Sequence, residues 1–281
     1  MKTHLIDLKG GGHIALHRLD GPHRGPATLL AHGTMSDSTA IADLGHKLQQ
    51  EGMDCWLLDW GGQGKSAAAQ KRQNFEAPAL LDVPAAIEAV RQHTGQDKIT
   101  WVSHSGGGLL PLMYLARHPK AQEHIQALVT MGAQATDAGK TTSHRLRAHV
   151  LKVVTQTFGY TPKAILPPGC LSEPTALLAQ WSTWNLAGRW LGADGFDYLP
   201  ALAQIHIPLL CIAGGADDIA PATGCRRLFD AIGSHDKTWV LCAKSKGFSK
   251  DFHHGSLVRG GSARREIDPI LIEWLKPRLN T

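Results

Sequence analysis

The sequence predicts an α/β fold: a mostly parallel, doubly wound sheet with helices on both faces and a helical stretch inserted before the last strands. Three observations predict it. Short apolar runs alternate with amphipathic stretches along most of the chain. One run, Lys98-Ile99-Thr100-Trp101-Val102, passes through Ser103-His104-Ser105 into three glycines and then a helical pattern, which reads as strand, tight turn, helix. From about Ala133 to Leu202 the alternation breaks, and it resumes at Ile207. A chain of 281 residues has room for one large domain with a modest insertion, divided as a core over 1–133, a helical insertion over 134–202 and the rest of the core over 203–281.

The elements follow in order. Residues 3–19 hold two alternating segments around Gly10-Gly11-Gly12 and read as a hairpin. Those glycines are no phosphate loop, since no GK[ST] and no helix follow. Ala27–Ala31 is a buried strand ending in His32-Gly33-Thr34-Met35, and a helical pattern runs from about Ser38 to Gln50. Asp54–Asp59 is a second buried strand. Behind it, the glycines of Trp60-Gly61-Gly62-Gln63-Gly64-Lys65-Ser66 permit positive φ, and Asp59 is expected to bond local N–H groups. Residues 76–94 are an amphipathic helix, Leu109–Leu115 a buried helix that tolerates Pro111 early, and Gln126–Met131 a strand.

The insertion carries Lys140, Arg145, Arg147, Lys152 and Lys163, then Pro167-Pro168-Gly169, then Trp181, Trp184 and Trp190. Ile207–Ala213 is the next strand and leads into Gly214-Gly215-Ala216-Asp217-Asp218-Ile219-Ala220-Pro221. Lys237–Cys242 is the last strand. The loop Asp251–Val258, with His253 and His254, precedes a helix from about Ala263 to Lys276.

Composition excludes several classes. Net charge is +5, yet no run of Lys or Arg is dense enough for a nucleic-acid patch. Arg226-Arg227 and Arg264-Arg265 read as solvated helix faces. The five cysteines, Cys55, Cys170, Cys211, Cys225 and Cys242, contain no CxxC, which argues against a zinc site and a disulfide framework. Sixteen histidines show no HExxH, so no metal and no cofactor are expected. The N-terminus reaches Asp7 and Lys9 without an apolar core, and no uncharged stretch approaches the ~20 residues that span a bilayer. A soluble, cytoplasmic protein with no stable membrane insertion is expected.

The turn at Ser105 reads small-x-Ser-x-small, with Ser103 and Gly107 two residues away on either side. A serine on a sharp strand-to-helix turn needs small neighbours there, because the backbone folds back on itself. Its hydroxyl then stands clear of the sheet above a helix N-terminus, where unpaired N–H groups favour an oxyanion. Ser103 is a poor rival nucleophile, since its own minus-two neighbour is Trp101.

This stretch resembles the nucleophile turn of serine hydrolases in the α/β-hydrolase superfamily, Gly-x-Ser-x-Gly, with Ser103 replacing the first glycine. Other stretches carry the resemblance over 1–133 and 203–281. Asp59–Ser66 is similar to the family's Asp-x-Arg-Gly-x-Gly-x-Ser, with Gly61 in place of arginine. Gly214–Pro221 is similar to its Gly-x-x-Asp-x-x-x-Pro acid loop, which puts Asp217 at the acid and leaves Asp218 as fallback. The tail His254, Leu257-Val258, Gly260, Ala263, Glu266, Pro269, Trp274-Leu275 looks like that of lipase-type members and favours His254 over His253.

The resemblance implies a triad of Ser105, Asp217 and His254, in the chain order this fold uses. It implies an oxyanion hole from the N–H groups of Gly106 and Thr34, with Met35 second to Thr34. It also implies a helical cap over 134–202. His32, His104, Trp181 and Trp184 are the expected substrate-pocket residues, although a tryptophan of the cap equally well packs it onto the core. The implied activity is hydrolysis of a small apolar carboxylic ester through an acyl-enzyme, carboxylesterase or lipase-like. A thioesterase, an acyltransferase, a cofactor-free peroxidase or C–C hydrolase, and a non-catalytic binding module share the scaffold. Serine at the turn argues against dehalogenase and epoxide-hydrolase chemistry, which need a carboxylate nucleophile.

Overall fold

Alternation along each strand divides the apolar side chains between the two faces of the sheet. The computed structural model describes residues 1–21, 25–68, 74–139, 145–146, 149–150, 161 and 170–278. Its strands are β1 (Lys2–Asp7), β2 (Gly12–Arg18), β3 (Ala27–Ala31), β4 (Asp54–Asp59), β5 (Ala67–Ala68), β6 (Ile99–His104), β7 (Ile125–Met131), β8 (Leu209–Gly214) and β9 (Lys237–Cys242). Its α-helices are α1 (Ala42–Gln50), α2 (Val83–Thr94), α3 (Gly106–Arg117), α4 (Thr175–Ala187), α5 (Tyr198–Ala201), α6 (Ala222–Ala231), α7 (Gly261–Glu266) and α8 (Asp268–Leu275).

The strands form one sheet in the order β1-β2-β4-β3-β6-β7-β8-β9, with β5 pairing β2. β1, β2 and β5 pair antiparallel, as does β2 with β4; every pair from β4 to β9 is parallel. Parallel strands need crossovers, and the helices supply them. Leu29, Trp56, Leu58, Trp101 and Leu128 point into the cluster that also contains Val90, Leu112 and Leu228 of α2, α3 and α6. Their neighbours Leu30, Cys55, Leu57, Val102 and Val129 point the other way, against Leu44 and Leu48 of α1 and Leu271 and Leu275 of α8. Both faces are thus covered, which is why these strands read as continuous apolar runs.

Chain order reverses at β3, which lies between β4 and β6. The loops leaving β3 and β6 therefore diverge and open a crevice at the C-terminal ends of the strands, the place where open α/β sheets bind ligands. The residues after β3 are His32-Gly33-Thr34-Met35, and the residue after β6 is Ser105.

Local chemistry shifts several boundaries. The helix expected from Ser38 opens as a 3-10 turn over Ser38–Ile41, and Asp37 Oδ1 caps it by accepting from the Thr39 N–H at 3.0 Å. The C-terminal helix is split into α7 and α8 at Ile267, just before Pro269, which has no N–H to continue the ladder. Asp59 accepts from the backbone N–H groups of Ser38 and Lys65, both at 2.8 Å, and sits 2.8 Å from His17 Nε2. Burial raises its carboxyl, but these bonds outweigh it and hold the group at about 2.

The stretch 134–202, where the sequence reading expects an insertion, is described in part. Within residues 134–202 α4 is helical, and Lys140, Arg147, Lys152, Lys163 and Pro167-Pro168-Gly169 lie outside the described residues. Among the described residues no helix is long and apolar enough to cross a membrane. All five cysteines are unpaired thiols, and burial pushes Cys211 and Cys242 up to about 12.

Candidate active site

Ser105 is forced into its position by the turn. It has φ 54° and ψ −127°, and only it and Met35 have positive φ among the described non-glycine residues. Gly107 allows the turn: a Cβ there would stand 2.3 Å from the His32 carbonyl oxygen and 2.8 Å from that of Ala31. Ser103, on the other side, is buried and donates its hydroxyl to the Val129 carbonyl at 2.8 Å. The Ser105 N–H bonds the Met131 carbonyl at 2.8 Å, which anchors the turn to β7.

His254 comes from the loop after β9. Its Nε2 lies 2.8 Å from Ser105 Oγ, and its Nδ1 lies 2.7 Å from Asp217 Oδ2. A carboxylate only accepts, so Nδ1 carries the proton and Nε2 presents a lone pair to the serine hydroxyl. The other Asp217 oxygen, Oδ1, accepts from the N–H groups of Ile219 at 3.0 Å and Ala220 at 2.7 Å, which fixes the carboxylate plane. Gly132, at φ 61°, makes room for the pair; a Cβ there would stand 3.2 Å from both Asp217 Oδ2 and His254 Nδ1. His253 is exposed and donates Nδ1–H to the Ala216 carbonyl at 2.8 Å, away from Ser105. Asp218 is exposed.

The Gly106 backbone begins α3, so its N–H has no partner within the helix. It packs against Thr34: a Cβ on Gly106 would stand 2.8 Å from Thr34 Cγ2 and 3.4 Å from the Thr34 nitrogen. The Met35 N–H is taken, donated to Glu173 Oε1 at 2.6 Å. Of the two loop donors expected, only that of Thr34 is therefore left for a ligand.

A cavity of about 370 Å³ opens over Ser105, lined by Phe75, Leu109, Leu178 and Trp181 together with Met35 and Ile219. His104 also lines it and donates Nε2–H to the His254 carbonyl at 3.1 Å; burial, then the nearby His254, holds its pKa well below the ordinary value. His32 and Trp184 do not line it, which corrects the sequence expectation for both. His32 is fully buried, stacked on Trp60 with ring centroids 5.1 Å apart, and donates Nδ1–H to the Gly33 carbonyl at 2.7 Å. Burial lowers its pKa to about 4, so it is a neutral brace of the loop. Trp184 packs between Phe75 and Trp190 and donates Nε1–H to the Leu191 carbonyl at 2.6 Å.

Sequence reasoning missed Glu173. It lies in a stretch without periodicity or a motif, and only the fold brings it to Met35. It is fully buried, and burial pushes its carboxyl up to about 7 against the lowering pull of the Met35 N–H. The folded pKa stands above the ordinary 4.5, so the native state binds the proton more tightly between those values. Stability from this group is full below pH 4.5 and declines by about 3 kcal/mol as pH rises through 7. Glu173→Gln removes that titration. Its melting temperature relative to the unmutated protein is expected to rise between pH 5 and pH 8, read by thermal denaturation at both.

A family model for the alpha/beta hydrolase fold matches residues 26–163. Human lysosomal acid lipase/cholesteryl ester hydrolase is 25% identical over 179 residues, which cover 54% of this chain and 44% of that protein. The chain therefore spans under half the length of that relative. Among solved structures, the monoacylglycerol lipase of Paleococcus ferrophilus superposes with a TM-score of 0.65 at 21% identity, covering 99% of this chain and 100% of that one. An esterase from Exiguobacterium antarcticum gives 0.70 at 16% identity, covering 98% and 100%. At these identities the two structures speak to the fold.

Proposed function

This chain belongs to the α/β-hydrolase fold superfamily, and from that premise we propose that it is a serine-dependent hydrolase of carboxylic esters working through an acyl-enzyme. One observation carries the reading: Ser105 Oγ, both His254 nitrogens and Asp217 form an unbroken hydrogen-bonded chain at the floor of an apolar cavity. The names of the lipase and esterase relatives support an ester as the bond cleaved.

The roles follow from acidity. A serine hydroxyl is a weak nucleophile at neutral pH, so His254 Nε2 takes its proton as Oγ attacks the ester carbonyl. Asp217 keeps Nδ1 protonated and stabilises the imidazolium that forms. The carbonyl oxygen, now negative, is received by the N–H groups of Gly106 and Thr34; losing one such donor costs roughly 10²–10³ in rate. Collapse returns the proton from Nε2 to the departing alkoxide and leaves the acyl group on Ser105. Water, deprotonated by His254, then repeats the attack and frees the acid.

The apolar lining suits an uncharged acyl chain, with Trp181 and Phe75 against it. The proposal extends to a reducing, cytoplasmic compartment, with which five unpaired cysteines accord.

The test is turnover of p-nitrophenyl esters of graded acyl length by the purified protein and two variants. His254→Ala is expected to abolish hydrolysis and His253→Ala to leave it near the unmutated rate. The reverse result would move the base by one residue, and no turnover by the unmutated protein on any ester would sink the ester reading.

A further inference from the structure

Met35 holds a backbone conformation that its side chain disfavours, at φ 58°. A non-glycine residue stays there only when its surroundings over-determine it. The surroundings are one short segment far along the chain. The Met35 N–H donates to Glu173 Oε1 at 2.6 Å, and the Met35 carbonyl accepts the Leu171 N–H at 2.7 Å. Both backbone polar groups of this one residue, in the peptides on either side of its Cα, are thus held by residues 171–173.

That segment is itself anchored. Gln63 Nε2 donates to the Ser172 carbonyl at 2.7 Å, and the Thr161 N–H donates to the Glu173 carbonyl at 3.0 Å. Glu173 is fully buried, and its Oε2 has no hydrogen-bond partner among the described residues. An acid buried with one oxygen unpartnered costs stability. Glutamine would accept the same bond without a charge. Residues 171–173 also lie beyond the 26–163 that match the family model.

Thr34 immediately precedes Met35, so fixing the Thr34–Met35 peptide fixes one side of the Thr34 Cα, whose other side carries the nitrogen that faces Gly106. An oxyanion donor works only if it is aimed before the charge develops. We propose that Glu173 is a positioning residue which, with the Leu171 N–H, locks Met35 and so keeps the Thr34 N–H aimed at the oxyanion formed on Ser105. The inference rests on the serine-hydrolase reading. It adds that the insertion sets the catalytic rate by holding the oxyanion loop, apart from any contact with substrate.

The test compares Glu173→Ala, Glu173→Gln and Glu173→Asp. Loss of an aimed donor acts on the transition state, so Glu173→Ala is expected to lower kcat roughly 10–100-fold with KM within about twofold. Affinity for an alkyl boronic acid, whose tetrahedral adduct on serine puts an oxygen in the hole, should fall in parallel. Glu173→Gln keeps an acceptor oxygen and should recover most of kcat. Glu173→Asp keeps the carboxyl group but withdraws the oxygen by one methylene, so it should behave like Ala; it also serves if the Ala variant does not fold.

Amide hydrogen exchange of the peptide spanning Gly33–Ser36 gives a readout independent of turnover. It should speed up in the Ala and Asp variants and not in Gln. Unchanged kcat and boronate affinity in folded Ala or Asp variants would overturn the inference, as would a loss of kcat that Gln fails to restore. If the unmutated protein hydrolyses no ester, the serine-hydrolase reading fails, while the exchange data still decide whether Glu173 holds the loop.

Discussion

Ser105→Ala is expected to lower ester turnover by roughly 10⁴–10⁶-fold, with the fold intact. Every step of the proposed reaction passes through Ser105 Oγ, and no other described hydroxyl lies beside His254 Nε2. The fold should survive because the residue's anchoring contact, 2.8 Å from its N–H to the Met131 carbonyl, belongs to the backbone. The same position predicts a trade of stability against activity. At φ 54° and ψ −127° a side chain is strained by about 1–3 kcal/mol, and glycine escapes that strain. Ser105→Gly should therefore be as inactive as the alanine variant and show a higher urea midpoint than it. A glycine variant less stable than alanine would mean that the turn is not strained.

Gly107→Ala is expected to be the most destabilising single methyl addition at the site. The new Cβ would stand 2.3 Å from the His32 carbonyl oxygen and 2.8 Å from that of Ala31. Both oxygens belong to backbone at the end of β3, which is paired on both sides, by β4 and by β6. Ala31 cannot yield without breaking the ladder, nor the His32 carbonyl without losing the Trp60 indole N–H that it accepts at 2.8 Å, so a loss of about 3 kcal/mol or more is expected. Gly255→Ala is the matched comparison, since a Cβ there meets nothing within 4 Å; it should stay within about 0.5 kcal/mol of the parent. Urea denaturation of the two variants reads the difference directly. Equal midpoints would show that small residues flank Ser105 for a reason other than close backbone approach.

The sheet was legible because each central strand is buried on both faces and so is apolar throughout. β3 and β4 match their sequence bounds for this reason, while β9 matches its bounds as a half-buried edge strand. The turn was legible because its steric demand leaves a mark at fixed spacing: Gly107 must be small wherever β6 turns into α3. Asp217 and His254 were found through the loops that carry them, and they meet Ser105 at 2.7–2.8 Å along the bonded chain. Their identity as a triad is the proposal that experiment must decide.

The rest depended on contacts that leave no local pattern. His32 and Trp184 were expected at the pocket from their place beside it in the chain. Burial sends the first under the loop, stacked on Trp60, and the second into packing with Phe75 and Trp190. Met35 was offered as a second donor, and only the fold brings up Glu173 to occupy its N–H. Phe75 and Leu178, which line the cavity, lie far apart in sequence and in stretches with no motif. Pro269 splits the last helix by removing one N–H, a break that a smooth apolar periodicity conceals.

The decisive measurement is covalent labelling. The purified protein is treated with a fluorophosphonate, which reacts with a serine only when a base and an oxyanion hole activate it, and the adduct is located by peptide mass spectrometry. A single adduct on Ser105, absent from Ser105→Ala and from His254→Ala, is the predicted result. Folded protein that acquires no adduct, or acquires one on another serine, would contradict the assignment of Ser105 as an activated nucleophile.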